Sequence, residues 1–146
     1  MDKSLLIIIL GILLAIALPF SLGDTEKRSL DITEVTINFE KTDAIFTFHY
    51  ELGTLPKVYV LLFGSKSLDP KIQTIFADFQ YEVIRIDENG AILRMKNISR
   101  LEKGYYLHDS MKFGEKLRTV YIITPDSSRP KEYSNINSTP NIFYRS

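Results

Sequence analysis

An uncharged run of 20 residues, from Ser4 to Gly23, constrains this chain more than any other feature, and 15 of these residues are Leu, Ile, Ala or Phe. As a helix the run would be about 30 Å long, which is the thickness of the hydrocarbon core of a bilayer. A chain of 146 residues is too small to surround such a helix on all faces. We therefore expect residues 4–23 to lie in a lipid bilayer.

Two interpretations of residues 1–23 remain open. They can form an uncleaved transmembrane anchor, which the uninterrupted length favours. They can also form a signal peptide, with Lys3 as its basic region, residues 5–18 as its apolar region and Ser21-Leu22-Gly23 as a cleavage site. Either interpretation places the rest of the chain outside the cytoplasm, as a single-pass membrane protein or, if cleaved after Gly23, as a secreted one.

The composition argues against one class of partner and indicates the kind of organism that makes this protein. The chain carries 18 basic and 18 acidic residues, which gives no reason to expect a nucleic-acid partner. It has no cysteine, so disulfides and thiolate metal sites are excluded. Small exported domains usually carry disulfides where the organism forms them. We therefore expect a prokaryotic cell-surface protein, bacterial or archaeal.

The sequence after a linker at 24–29 is typical of β-structure. Apolar residues alternate with polar ones over 35–40 and 44–50, which predicts a hairpin, and Asn89-Gly90 predicts a second hairpin between 81–86 and 91–96. Further strands are expected at 58–63, 105–108 and 117–124. We thus predict an all-β sandwich of about seven strands over residues 30–124, followed by a polar C-terminal tail over 125–146.

One short amphipathic helix is expected between Ser67 and Gln80. Asp69 is placed to cap it and Pro70 suits its first position. Apolar residues then recur at helical spacing, at Ile72, Ile75, Phe76 and Phe79.

The segment from Leu93 to His108 resembles the E–F corner of immunoglobulin-like domains. Glu102, Gly104 and Tyr106 match the acid, the glycine and the corner tyrosine of that motif. The resemblance implies an immunoglobulin-like sandwich in which the Tyr106 hydroxyl bonds to upstream backbone. Such domains carry a cysteine at the position of His108 and a tryptophan on strand C. This chain has neither residue, so the domain would lack the disulfide that joins the two sheets.

The resemblance also implies which loops lie at the same end, or pole, of the sandwich. Residues 53–56, 87–90 and 109–114 should lie near the start of strand A, close to the bilayer. The tail after Thr124 and the Asn97 corner should lie at the opposite pole. Tyr133, Phe143 and Tyr144 in the tail are therefore the candidate partner contacts, unless the tail packs on its own sheet.

Few residues in the chain indicate a catalytic site or a metal site. His108-Asp109-Ser110 has the residue types of a hydrolase triad, but adjacent strand residues point to opposite faces. His49, His108 and Asp109 have no regular metal-ligand spacing. We expect no catalysis, no cofactor and no metal. Asn97 and Asn137 begin glycosylation sequons.

Charge is uneven, with seven acids and three bases over 24–51 and seven bases and three acids over 94–118. Attraction within the domain explains this, and contact between copies is the alternative. We expect a membrane-anchored binding or structural module whose partner is an envelope protein or a glycan. The alternative is a subunit of a filament or envelope assembly that self-associates, since the plan is similar to archaeal pilins and archaellum stator subunits. Lys3-Ser4 departs from a pilin processing site.

Overall fold

The computed structural model describes residues 30–53, 60 and 64–145 of the chain. These residues form an all-β fold with one short α-helix, α1, and one further helical residue, Val60. The elements are β1 Leu30–Glu40, β2 Asp43–Leu52, a 3-10 turn Ser65–Leu68, α1 Asp69–Ile75, β3 Tyr81–Ile86, β4 Gly90–Met95, β5 Arg100–Glu102, β6 Tyr105–His108, β7 Lys112–Ile123, β8 Lys131–Ser138 and β9 Ile142–Tyr144.

Six strands form the large sheet, in the order β3-β4-β2-β1-β7-β8. The two predicted hairpins are confirmed, because β1 pairs antiparallel with β2 and β3 pairs antiparallel with β4. The parallel pairing of β1 with β7, in which Val35 lies opposite Val120, was not predicted. It places β1 and β2 at the centre of the sheet.

One face of the large sheet is the core face, and the alternating residues predicted for it are buried. Val35, Ile37 and Phe39 of β1 lie beside Phe46 and Phe48 of β2, each no more than 2% exposed. Because side chains of a strand alternate between faces, their polar neighbours face solvent.

Helix α1 and the turn after it cover half of the core face. The four predicted apolar residues, Ile72, Ile75, Phe76 and Phe79, are all buried. The Phe76 ring meets the Phe46 ring edge-on at 5.9 Å. Asp69 does not cap this helix, since Leu68 occupies the N-cap and makes no side-chain capping bond. The preceding 3-10 turn already directs the chain into the helix, so Asp69 becomes its first residue instead.

The small sheet, in the order β5-β6-β9, covers the other half of the core face. Phe39 of the large sheet packs against His108 and Tyr144 of the small sheet, with ring centroids 5.0 and 5.2 Å apart. The fold is therefore two-layered, with a helix and a small sheet packed on one large sheet.

The folded region extends past Thr124, so the predicted polar tail over 125–146 is not a tail. It contributes β8 to one edge of the large sheet and β9 to one edge of the small sheet. Strand β8 was missed because an exposed edge strand needs no apolar alternation, and β9 has only three residues. The described residues thus hold nine strands rather than about seven.

The predicted strand at 58–63 lies mostly outside the described residues. Val60 is described, is buried and is helical, with its carbonyl accepting from the Gly64 N–H at 2.9 Å. A continuous apolar run cannot be assigned to strand or helix by periodicity alone, which explains the error at Val60. The apolar segment 4–23 and the linker 24–29 also lie outside the described residues. Among the residues described, no helix is long and apolar enough to cross a membrane.

Candidate functional site

The structure brings together two of the three predicted partner contacts. Tyr133 of β8 and Phe143 of β9 line the same cleft, of about 330 Å3. Tyr144 does not join them, because it is fully buried between the sheets. The cleft lies between the β7–β8 hairpin and strand β9, and its walls combine aromatic, aliphatic and polar side chains: Ile122, Thr124, Asp126, Ser127, Lys131, Tyr133, Asn141, Ile142 and Phe143.

Phe143 is the most exposed large apolar side chain of the described residues, at 73%. The Phe143 and Tyr105 rings meet in a T-shaped arrangement, with their centroids 6.5 Å apart. The Arg145 guanidinium covers the Tyr105 ring at 4.3 Å from its centroid and also donates to the Tyr105 hydroxyl. These contacts give Phe143 a defined neighbour on one side and leave much of its surface free for a ligand.

Asp126 supplies a fixed carboxylate to the cleft. It accepts hydrogen bonds from the Thr124 side chain and from the Arg145 backbone N–H, the latter at 3.2 Å. These bonds, with the nearby Lys131 ammonium, lower the pKa of the Asp126 carboxyl. The cleft therefore presents one carboxylate and one ammonium together with neutral polar groups.

A second recess continues the cleft along β8 and shares Tyr133 and Asn141 with it. The Asn141 side-chain oxygen accepts the Ser110 backbone N–H at 2.7 Å, which fixes the amide's orientation. Asn135 lies within β8 and has a positive φ of 56°. Cleft and recess together form a groove in which most lining residues carry a hydroxyl or an amide and about half of the lining surface is apolar.

The cleft lies at the end of the large sheet opposite Leu30. Strand β7 runs parallel to β1, so its last residues, next to Thr124, lie beside the Glu40 end of β1. The 11 residues of β1 span about 33 Å at the usual rise per residue. The loop at 87–90 lies at the Leu30 end, since Tyr50 bonds to Asn89. The loop at 87–90 and the end of β7 at Thr124 thus lie at the poles assigned to them from the sequence. The segment after Thr124 does not stay at its assigned pole, because β8 runs back along β7 toward the Leu30 end, where Ser138 pairs with Lys112.

The three residues of the corner motif form a hairpin. Glu102 pairs with Tyr105 across a two-residue turn in which Lys103 and Gly104 have φ of 49° and 85°. Gly104 therefore has the positive φ that its role required. The chain crosses between the sheets earlier, around Asn97, whose φ is 51°.

The corner hydrogen bond is made by Tyr144 rather than Tyr106. The Tyr144 hydroxyl donates to the Lys41 carbonyl at 2.5 Å and bonds to the Ser99 hydroxyl at 3.0 Å. The Tyr106 ring stacks on the Tyr144 ring at 5.6 Å, and its own hydroxyl makes no hydrogen bond within the described residues. Because strand β9 was not predicted, Tyr144 could not be recognised as the competing tyrosine.

His108 sits in a closed polar network. Its Nδ1 lies 2.7 Å from the Ile98 carbonyl and its Nε2 lies 2.7 Å from the Thr139 hydroxyl. The Thr139 hydroxyl also accepts the Met111 N–H at 2.9 Å. Because the Ile98 carbonyl can only accept, Nδ1 carries a proton. Burial lowers the pKa of His108.

The residues beside His108 do not complete a triad with it. Asp109 is exposed and bonds to Arg100, and the Ser110 N–H bonds to Asn141. His49 is exposed on the outer face of the large sheet. In the described part of the chain, no group of three His, Asp or Glu residues could hold a metal ion.

Both sequon asparagines are exposed, while the third residue of each sequon is buried. The Asn97 N–H bonds to the Asp43 carboxylate at 3.0 Å, and the Ser99 hydroxyl bonds to Tyr144. Asn137 lies on the edge strand β8. In the folded domain the hydroxyls of Ser99 and Thr139 are therefore already hydrogen-bonded within the protein, to Tyr144 and to His108.

The uneven charges pair within the large sheet. Arg118 of β7 meets Asp31 of β1 at 2.8 Å, and Arg94 of β4 meets Glu40 of β1 at 3.7 Å. Attraction within the domain thus accounts for part of the asymmetry.

Sequence reasoning missed most of the polar lining of the cleft, including Asp126, Lys131 and Asn141. Pro125-Asp126 is a turn signal, but the sequence did not show that β9 would face that turn. Comparison with protein-family models, with curated proteins and with solved structures gave no match.

Proposed function

We propose that the chain is a non-catalytic binding module held at the outer face of a prokaryotic membrane by residues 4–23, with the cleft around Tyr133 and Phe143 as its binding surface. The observation that carries this proposal is the position of that cleft, which opens around a 73% exposed phenylalanine at the pole opposite Leu30.

The geometry of attachment supports this orientation. The linker 24–29 has six residues and spans at most about 20 Å when fully extended. An anchor at 4–23 would therefore hold the Leu30 end of the large sheet near the lipid. The cleft would lie farther from the bilayer than Leu30, because Tyr133 and Ile122 are level with the half of β1 between Val35 and Glu40.

The absence of catalysis is supported by the state of His108. Both of its ring nitrogens already bond to protein groups, and the ring is buried. A general base needs a nitrogen within reach of a substrate proton. The charged groups of the cleft, Asp126 and Lys131, are a carboxylate and an ammonium of the kind that orient a ligand.

We also propose that the domain is a divergent relative of immunoglobulin-like sandwiches. The block β1-β2-β4-β3 has the strand order A-B-E-D of one immunoglobulin sheet. The other half departs from that plan, because β7 joins the large sheet and β6 pairs with β5 and β9. The likeness is therefore proposed for one sheet.

Cysteine labelling tests the location, since the native chain has no cysteine. The variants Phe143→Cys and Ile84→Cys place a thiol at exposed positions on opposite edges of the fold. In intact cells both should react with a membrane-impermeant maleimide. Labelling that appears only after permeabilisation would contradict an extracytoplasmic domain.

Photo-crosslinking tests the binding surface. A photoreactive phenylalanine at position 143 should form an adduct in the native envelope, and the same residue at position 84 should not. Equal adducts at both positions, or none at position 143, would contradict a binding surface at the cleft.

An assembly subunit is the second candidate function, and edge strand β3 favours it. Val83 and Ile84 are 46% and 51% exposed on that edge, where another strand could pair. Purified envelope filaments containing this chain, lost in the Ile84→Lys variant, would support this alternative. A monomeric chain at high concentration would speak against it.

A further inference from the structure

We propose that the groove formed by the cleft and the recess along β8 binds a neutral glycan, with one sugar ring stacked on Phe143. This inference rests on the proposed function and specifies the ligand of the same site.

The apolar component of the site has the form that a sugar ring needs. A pyranose has one face of C–H groups and a rim of hydroxyls, so it packs on a flat aromatic face. Phe143, which is 73% exposed, offers such a face at the cleft, and Tyr133 contributes a second ring to the lining. Tyr105 packs against Phe143 at 6.5 Å, so the stacking surface exists before a ligand arrives.

The polar component matches a hydroxyl rim. Sugar hydroxyls donate and accept, and side-chain amides and hydroxyls do the same. The Asn141 oxygen is already held by the Ser110 N–H at 2.7 Å, which leaves its NH2 group directed by that bond and able to donate. Asp126 adds a fixed acceptor, because its carboxylate is held by the Arg145 N–H.

Other ligand classes fit the groove less well. A lipid chain needs a long apolar tunnel, whereas Thr124, Ser127 and Asn141 place polar atoms in this wall. A nucleic acid needs excess positive charge, but the lining contains one lysine and one aspartate, whose charges balance. A peptide added to the β8 edge would need a regular extended edge strand, and the φ of 56° at Asn135 distorts the backbone of that edge.

The recess along β8 indicates a ligand longer than one ring. It shares Tyr133 and Asn141 with the cleft, so a second sugar unit could lie on the other side of Tyr133. Asn135 and Asn137 of the recess supply further amides.

The test uses the full chain in phospholipid nanodiscs, because sugar-headed detergents would compete for the site. The probes are the tetrasaccharides of glucose and of N-acetylglucosamine, and an uncharged tetrapeptide, measured by saturation-transfer NMR and by calorimetry. We expect at least one tetrasaccharide to bind and the peptide not to bind. Phe143→Ala should weaken that binding at least tenfold, while Phe143→Trp should retain it.

Leu101→Ala is the matched control, since Leu101 is 60% exposed but lies on β5, outside the groove. It should leave the affinity unchanged. Binding of the peptide but of neither sugar, or sugar binding that Phe143→Ala leaves unchanged, would overturn the glycan inference. Adducts at position 143 in the native envelope without any sugar binding would overturn this inference and leave the proposed function standing. Loss of both would overturn both.

Discussion

Replacing Tyr144 by phenylalanine tests which tyrosine closes the corner of this fold. The substitution removes one hydroxyl and keeps the buried ring. The hydroxyl lies 2.5 Å from the Lys41 carbonyl and 3.0 Å from the Ser99 hydroxyl, so it ties β9 to the β1–β2 turn and to the crossing at Ser99. The matched control is Tyr106→Phe, whose ring stacks on Tyr144.

The magnitude follows from the loss of these partners. A buried group left without its hydrogen bond costs about 1–3 kcal/mol, so Tyr144→Phe should lower the free energy of unfolding by about 2 kcal/mol. Tyr106→Phe removes a hydroxyl with no partner among the described residues, and its effect should stay within about 0.5 kcal/mol.

Urea unfolding of the full chain in nanodiscs, followed by far-ultraviolet circular dichroism, measures both effects. With a slope of about 2 kcal/mol per M urea, the midpoint of Tyr144→Phe should fall by about 1 M at unchanged slope. If Tyr106→Phe were the more damaging substitution, the corner inferred from Gly104-x-Tyr106 would be correct and the role given to Tyr144 would be wrong.

Three further predictions concern stability. Because burial lowers the pKa of His108 below its ordinary 6.5, the unfolded chain binds the extra proton first. The unfolding free energy should therefore fall as pH drops below about 6.5, by at most about 1.4 kcal/mol per unit from this group; a His108→Gln variant that keeps the full slope would refute this. Gly114→Ala should lower the unfolding free energy by about 3 kcal/mol, because the added Cβ would lie 2.0 Å from the Thr74 carbonyl oxygen of helix α1. Gly104→Ala meets open space and should lower it by only about 1 kcal/mol, because Gly104 has a positive φ. Equal unfolding midpoints for the two variants would contradict the close approach at Gly114. A double-mutant cycle on Arg118 and Asp31 should give a coupling below about 1 kcal/mol, because both side chains are more than half exposed.

Local signals in the sequence predicted local structure well. The hairpin predicted from Asn89-Gly90 forms, but neither residue has the positive φ of a two-residue Asn-Gly turn. The Asp87 carboxylate instead accepts the N–H groups of Asn89 and Gly90. The helix followed from the spacing of Ile72 and Phe76. These features depend on residues within a few positions of one another.

The features that the sequence did not predict depend on distant pairing. The parallel contact of β1 with β7 has no local signal, because β7 reads as an ordinary strand whichever neighbour it takes. Phe143 belongs to the apolar cluster 142–144 at the end of a polar segment, and the cleft contains it together with Tyr133. Tyr144 belongs to the same cluster but is buried, while Phe143 is exposed. Only the register of β9 on β6 decides which of these two adjacent side chains faces the core.

The parallel β1–β7 pairing has a consequence for the order in which the domain is made. Strand β1 lies at the centre of the sheet, yet one of its two neighbours emerges about 85 residues after it. At about 5–20 residues per second, synthesis delivers that neighbour roughly 4–17 s later. Until then β1 and its hairpin partner have an unpaired edge and no complete core. The nascent chain should therefore stay open to translocation across a membrane for most of its synthesis, and should fold cooperatively once β7 is available.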